Sequence, residues 1–357
     1  MKLLEWLGLQ GGAAQAKRDA TAFKVKVAPG EQEFEVEKGR KVILNSALSA
    51  GLGFPHNCRV GSCTQCKCKL KSGKVRELTD SSYVLSAEDL KEGMILACQS
   101  IPESDLEIEV ELTSGGDRLV ETRGEIVSQK ELTHDIVELR VALDDPMTFK
   151  AGQYAEIRLE EFSLSRNYSM AVAPKGQSLS ELVFHIRKVP GGKFTEWLFA
   201  QSRVGTRLSV NGPFGDFHLR GAQGHQPAPI VCVAGGSGMA PILALLDQAK
   251  WAGESRDAIY LFGARTEADL YAEQEVLDIQ RGWRGSLTFK QVLSQVGADT
   301  DWKGARGLVT DQLDGLQLPW PQVQAYLCGP PAMIDAAIAR FVALGVPEGQ
   351  IHYDKFE

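Results

Sequence analysis

The pattern of apolar and polar positions passes through three regimes. Between residues 22 and 37 apolar side chains alternate, Phe23, Val25 and Val27 and then Phe34 and Val36 after a Pro29-Gly30 turn, which predicts a β-hairpin. The run from Val42 to Gly51 places Ile43, Leu44, Ala47 and Leu48 on one face, the spacing of a helix that Gly51 ends. Residues 66–76 alternate like a strand, with Cys66 and Cys68 on the same side. A helix with Ser86 as its N-cap is expected within 85–96, and residues 106–112 read as a closing strand. From Val120 to Asn211 short alternating stretches separated by turns predict a barrel or sandwich of strands. After Ala228 continuous apolar strands alternate with helices, beginning with Ile230–Ala234 and Ile242–Leu246, which is the signature of a parallel sheet. Residues 10–20 have linker composition, and Gly115-Gly116 marks a second boundary. The expected divisions are a tail at 1–20 and domains at 21–113, 114–224 and 225–357.

Composition narrows the function without choosing it. The chain has 357 residues, 43% hydrophobic and 24% charged, as in an ordinary globular protein of a few domains. A net charge of −7 argues against general nucleic-acid binding. No apolar run reaches the about 18 residues of a membrane span. Residues 1–9 put Leu3, Leu4 and Leu7 on one helical face with Trp6 beside them, a candidate contact with a membrane surface or a partner. The alternative is that this turn packs on its own protein or has no fixed structure. Seven cysteines, an odd number, suit a reducing cytoplasm better than a disulfide scaffold.

The chemistry begins at Cys58, Cys63 and Cys66, spaced C-x4-C-x2-C, with Cys98 following after a loop. That is the plant-type spacing for a 2Fe–2S cluster, in which one tight loop supplies three thiolates and a distant segment the fourth. Gly61 and Ser62 permit the sharp turns such a loop needs. Structural zinc is the alternative, although zinc favours paired C-x2-C knuckles and only Cys63 and Cys66 form one. Cys68 reads as a small apolar filler beside the site.

Three further motifs follow. Arg166 and Tyr168 share a strand face, a pairing suited to a ligand with both a pyrophosphate and a flat ring. Gly191 and Gly192 precede a short helix and offer amides to phosphate. Gly235, Gly236 and Gly238 lie between an apolar strand and a helix start that includes Pro241, where the missing N–H is harmless. The segment Cys328–Pro331 repeats the strand-to-loop arrangement at the same sheet edge.

Taken in order, these motifs identify a resemblance. Residues 22–112 resemble a β-grasp plant-type ferredoxin. The chain from about residue 22 onward resembles the ferredoxin–NAD(P)H reductase-type electron-transfer components of bacterial oxygenases. The resemblance implies an α+β ferredoxin domain, then an antiparallel β-barrel FAD domain, then an α/β parallel-sheet nucleotide-binding domain. It implies Cys58, Cys63, Cys66 and Cys98 as iron ligands, and Arg166 on the FAD pyrophosphate. Tyr168 and Ser169 would line the flavin ring, while Gly192, Lys193 and Thr195 complete its phosphate site. Gly235, Gly236, Gly238 and Pro241, with Gly329 and Pro330, would hold the dinucleotide. Cys328 would stand by the reacting nicotinamide carbon, and Phe356 would cover the flavin. The implied function is to pass electrons from NADH through FAD and the cluster to a terminal oxygenase or hydroxylase, or to its ferredoxin. A slow redox-sensing subunit is the alternative of another class. NADPH is the alternative donor: Ser294-Gln295 lacks the arginine that would meet a 2′-phosphate, and Arg265 is the other candidate for that role. Lys67, Lys69, Lys71, Lys74 and Arg76 form a candidate basic docking edge for an acidic partner, or simply a solvated strand face.

Overall fold

The computed structural model describes residues 21–56, 58–112, 119–159, 164–221, 228–297 and 301–356. The tail at 1–20 and the Gly115-Gly116 boundary lie outside the described residues. The chain divides into two compact units, Met1–Ala50 with Arg59–Leu112 and Gly51–Cys58 with Thr113–Glu357.

In the first unit the strands are β1 (Ala22–Ala28), β2 (Gln32–Glu37), β3 (Lys67–Ser72), β4 (Val75–Glu77), β5 (Met94–Leu96), β6 (Ser100–Pro102) and β7 (Leu106–Glu109). Five of them form a sheet in the order β2-β1-β7-β3-β5, with β1 and β7 parallel. The alternating valines and phenylalanines of the hairpin face inward, against helix α1 (Ile43–Ser49), whose Ile43, Leu44, Ala47 and Leu48 are buried. Helix α2 (Ala87–Lys91) opens with a capping box in which Ser86 and Asp89 satisfy one another's amides. The strand expected at 66–76 is broken at Gly73. There the backbone turns left-handed, close under the Asp105 carbonyl and the Leu106 side chain, so β4 leaves the sheet to pair with β6.

The second unit holds two sheets. Strands β8 (Val120–Thr133), β9 (Ile136–Met147), β10 (Tyr154–Leu159), β11 (Leu164–Ser169), β12 (Leu179–Arg187) and β13 (Arg207–Phe214) run in the order β11-β10-β13-β8-β9-β12. All their pairings are antiparallel. Met170, just past β11, bridges to Phe184 of β12, so the edge strands meet and the sheet closes on itself. Its interior is filled by alternate residues such as Leu139, Val141, Ile157, Phe184 and Val210, and helix α3 (Lys193–Ala200) packs Phe194 and Leu198 against them.

The second sheet has strands β14 (Ile230–Gly235), β15 (Ala258–Ala264), β16 (Leu287–Leu293), β17 (Ala305–Arg306), β18 (Gln324–Gly329) and β19 (Ile351–Lys355). Their order is β17-β16-β15-β14-β18-β19, all parallel. Helices α4 (Met239–Trp251) and α5 (Glu273–Arg281) contribute to the core on one face, and α6 (Pro331–Ala343) to the core on the other. Strand β14 lends Cys232 to the first face and Val231 and Val233 to the second, the alternation of a strand buried on both sides. Chain order reverses between β14 and β18, and ligands of such sheets bind outside the strand ends at that reversal.

Phe184 is fully buried at the closure of the barrel. Phe184→Ala should therefore cost about 3–5 kcal/mol, measured as a lower urea midpoint with an unchanged slope.

Candidate cofactor sites

Of the four predicted ligand thiols, the structure brings Cys63, Cys66 and Cys98 together in the first unit. Cys66 and Cys98 hydrogen-bond to one another, and Cys63 is near enough to act on Cys66 through its charge. The Cys98 contact, then burial and the charge of the neighbouring thiols, push Cys66 well above the ordinary thiol range, as crowding of sulfurs does. Three residues of the loop, Arg59, Gly61 and Thr64, take left-handed backbone angles. At Gly61 a Cβ would strike the Gln99 side chain, whose amide also donates to the Cys98 carbonyl. A tight loop that presents sulfur donors matches the soft ligand set of an iron–sulfur cluster. Cys58 ends segment 51–58, which groups with the second unit. Cys68 is buried in β3, and desolvation followed by the Cys98 charge pushes its thiol up to about 12, which keeps it protonated as a filler.

The expected basic edge is interrupted by acids. Lys67 pairs with Asp89 at 2.6 Å and Lys71 with Glu109 at 3.0 Å, while Lys69 stands opposite Glu109 in the sheet. Glu107 and Glu109 arrive on β7, a strand remote in sequence, so the alternating lysines alone suggest more positive charge than the surface carries.

On the barrel, Arg166 and Tyr168 lie two apart on β11, with Arg166 exposed and Tyr168 half-buried. The Tyr168 ring stands 5.4 Å from that of Phe194, which draws the Arg-x-Tyr-Ser strand and the Gly-Gly-Lys helix side by side. Gly192 is the N-cap of α3, and exposed Lys193 begins the helix. Thr195 lies in the first turn of α3. Its buried hydroxyl accepts from the Val189 amide at 3.0 Å and lies 3.1 Å from both the Val189 and Gly192 carbonyls. It holds the turn that leads into α3. A guanidinium, an aromatic ring and a helix N-terminus on neighbouring elements fit a flat ring system carrying a pyrophosphate.

The two loops of the parallel sheet are pressed together. A Cβ on Gly238 would run into the Cys328 carbonyl, and one on Gly235 would come within 2.7 Å of the Met333 sulfur. Gly329 has φ +144, with Gly235 and Met333 closing around it. Pro241 lies in the first turn of α4 and Pro330 is the N-cap of α6. Cys328 is fully buried, and burial, then the Asp354 charge, hold its thiol well above the usual range.

Sequence reasoning missed Asp354. It is the register partner of Cys328 across β18 and β19, and Ser169 Oγ donates to its Oδ2 at 2.9 Å. The amide of Phe356 donates to the Gly329 carbonyl at 3.0 Å. Ser169 is thus bonded to the Asp354 carboxyl, while the backbone pairing of β18 and the segment after it brings Cys328 and Phe356 to the same strand end. The only signal for Asp354 was an acid two residues before the terminal aromatic. Missed as well were Asp135 and Arg187, which with Arg265, Asp269 and Gly236 line a cavity of about 190 Å³ at the ends of β14, β15 and β16.

A closed antiparallel barrel followed by a parallel sheet with glycine-lined strand ends defines a flavin- and nicotinamide-linked oxidoreductase, here preceded by a cysteine-loop α+β domain. Comparisons with known proteins agree with that class. Residues 25–103 match the 2Fe-2S iron-sulfur cluster binding domain, 123–219 the oxidoreductase FAD-binding domain and 232–338 the oxidoreductase NAD-binding domain. The chain is 43% identical to the xylene/toluene monooxygenase electron transfer component of Pseudomonas putida, over 91% of each chain. It is 35% identical to the propane 2-monooxygenase reductase component of Mycolicibacterium goodii, over 94% of this chain and 98% of the other. The crystal structure of Amycolatopsis cytochrome P450 reductase superposes with a TM-score of 0.84 at 30% identity, covering 94% of this chain and 98% of that one. The chain belongs to the family of reductase components of bacterial oxygenase systems. It is an oxidoreductase with 2Fe–2S, FAD and NAD(P)H sites. The match to an iron–sulfur family settles the zinc alternative in favour of iron.

Burial raises the Asp354 carboxyl to about 6 against the opposing Ser169 hydrogen bond. The folded protein therefore keeps a proton there that the unfolded chain has already released. That stabilisation is complete below about pH 4 and is lost as pH rises through 6. Asp354→Asn should remove this dependence. Relative to the native protein, its urea midpoint should rise between pH 4 and pH 7, with little further change above.

Proposed function

We propose that the protein is an NADH-dependent reductase that supplies electrons to a terminal oxygenase or hydroxylase, or to its ferredoxin. When bound, FAD takes hydride as an electron pair and the cluster relays single electrons, which is the conversion a dinucleotide-driven oxygenase requires. The chain's own part is positioning. Arg166 and the start of α3 hold the flavin pyrophosphate, and Tyr168 and Ser169 line its ring. Gly236, Gly238 and the start of α4 receive the dinucleotide phosphates. Cys328 offers a neutral, buried surface to the nicotinamide, and Phe356 caps the flavin side. Cys58 completes the thiolate set of Cys63, Cys66 and Cys98. The observation that carries this reading is the junction of Ser169, Asp354 and Cys328, where the barrel and the parallel sheet present their predicted site residues to one another.

NADH is favoured because every charged side chain lining the cavity beyond β15 already has an opposite charge against it. Arg187 and Arg265 face Asp135 and Asp269. A 2′-phosphate would find no unneutralised cation there. Thiolate ligation of a cluster suits a reducing cytoplasm. Among the described residues no helix is long and apolar enough to cross a membrane. The suggested membrane or partner contact through residues 1–9 lies outside the described residues.

Anaerobic titration with NADH should bleach the flavin absorbance and raise the EPR signal of a reduced 2Fe–2S cluster; flavin bleaching without a cluster signal would overturn the relay. Cys98→Ser should lose iron and acid-labile sulfide, whereas Cys68→Ser should keep both. Steady-state kcat/KM should be at least about tenfold higher for NADH than for NADPH.

A further inference from the structure

The hairpin tip between β8 and β9 reaches the nucleotide sheet. Asp135 sits there, and its Oδ2 accepts from Arg187 Nε at 2.9 Å and from Arg265 Nη2 at 3.1 Å. The same Arg265 nitrogen donates to Asp269 Oδ1 at 2.7 Å. Asp269 is fixed in turn, because its Oδ2 accepts from both the amide and the hydroxyl of Thr266, each at 2.9 Å. Thr133 Oγ1 donates to the other oxygen of Asp135 at 3.0 Å. His134, Asp135 and Asp269 could be mistaken for a cation site, but the Arg265 guanidinium already occupies the space between the two carboxylates.

The location gives this network its meaning. Arg265 follows β15, the second strand of the sheet, where an acidic residue meets the ribose hydroxyls of NAD or an arginine meets the 2′-phosphate of NADP. This chain has both residue types at that place, so its preference depends on whether the arginine is available. Asp269 alone is an exchangeable partner for a half-exposed side chain. Asp135 comes from a different sheet and adds a second hold on the same nitrogen, and it ties Arg187 against Gly236 as well.

We propose that Asp135 is a specificity-determining residue of the dinucleotide site. Delivered by the barrel, it keeps Arg265 neutralised, so that the groove accepts a 2′-hydroxyl and discriminates against a 2′-phosphate. The proposal rests on the reading that this groove takes NADH, and it assigns that choice to a residue outside the nucleotide domain. Removing one negative charge while keeping the side-chain shape releases Arg265 toward an added phosphate.

The test uses the FAD-loaded full chain with Asp135→Asn, alone and combined with Arg265→Ala. Binding of 2′,5′-ADP and of 5′-AMP is measured by calorimetry, and kcat/KM is measured for both donors. In D135N, 2′,5′-ADP should bind about tenfold tighter and 5′-AMP nearly as before, with the NADPH-to-NADH ratio rising about tenfold. Adding R265A should abolish the gain. Unchanged 2′,5′-ADP affinity in D135N, or a gain that survives R265A, overturns the proposal. Should D135N fail to retain flavin, R265A alone decides: a change in 2′,5′-ADP affinity below about twofold supports the proposal, and a tenfold loss shows Arg265 to be free already and overturns it. A native protein that prefers NADPH would overturn the NADH reading itself, a result separate from the effect of D135N on 2′,5′-ADP.

Discussion

The carbonyl oxygen of Cys328 stands where a side chain on Gly238 would have to be. This close approach of two backbones, at the ends of adjacent parallel strands, organises the rest of the nucleotide site. It requires glycine at 238 and favours it at 235, where Met333 fills the space. It brings the loop before α4 and the loop before α6 to one edge of the sheet. Strand β19 then pairs with β18 and carries Asp354 and Phe356 to that edge. Cys328 and Asp354 are held there by the pairing of β18 with β19.

Burial opposes charge on two groups at this edge. Cys328 is kept protonated by burial, and the same cause raises the Asp354 carboxyl to about 6, so that it becomes an anion as pH rises past that value. Hydride transfer needs contact and alignment between two rings more than it needs an acid or a base. The ion pairs of these two sheets lie on the barrel surface and around the far end of the groove.

Much of this was legible in the sequence, for definite reasons. The cysteine spacing, the glycine loops and the alternation of the hairpin are local patterns, each set by the geometry of a few consecutive residues, and the hairpin forms as the alternation predicts. What was not legible came from contacts between remote segments. Ser169 and Asp354 are 185 positions apart, and Arg265 and Asp135 are 130 apart. Arg265 could be read only as a free cation or a surface residue, since its neutralising partner sits on another sheet. The basic strand misled in the same way, because β7 supplies the acids beside it. Thr195 adds a contact the motif did not show, since its hydroxyl bonds to the backbone of its own turn.

The ion network at the β8–β9 tip is hard to explain as a source of stability. Half-exposed arginines paired with carboxylates contribute little, because solvent screens the attraction and ordering long side chains costs entropy. Two guanidiniums meeting on one carboxylate oxygen also repel each other. What the network does fix is where the charges stand. With Asp135 and Asp269 on either side of it, the Arg265 guanidinium is held in place and its field is cancelled at the point where a dinucleotide would carry or lack one phosphate. Because one of those carboxylates belongs to the barrel, the charge balance of the groove is set jointly by the two sheets that must cooperate to transfer hydride.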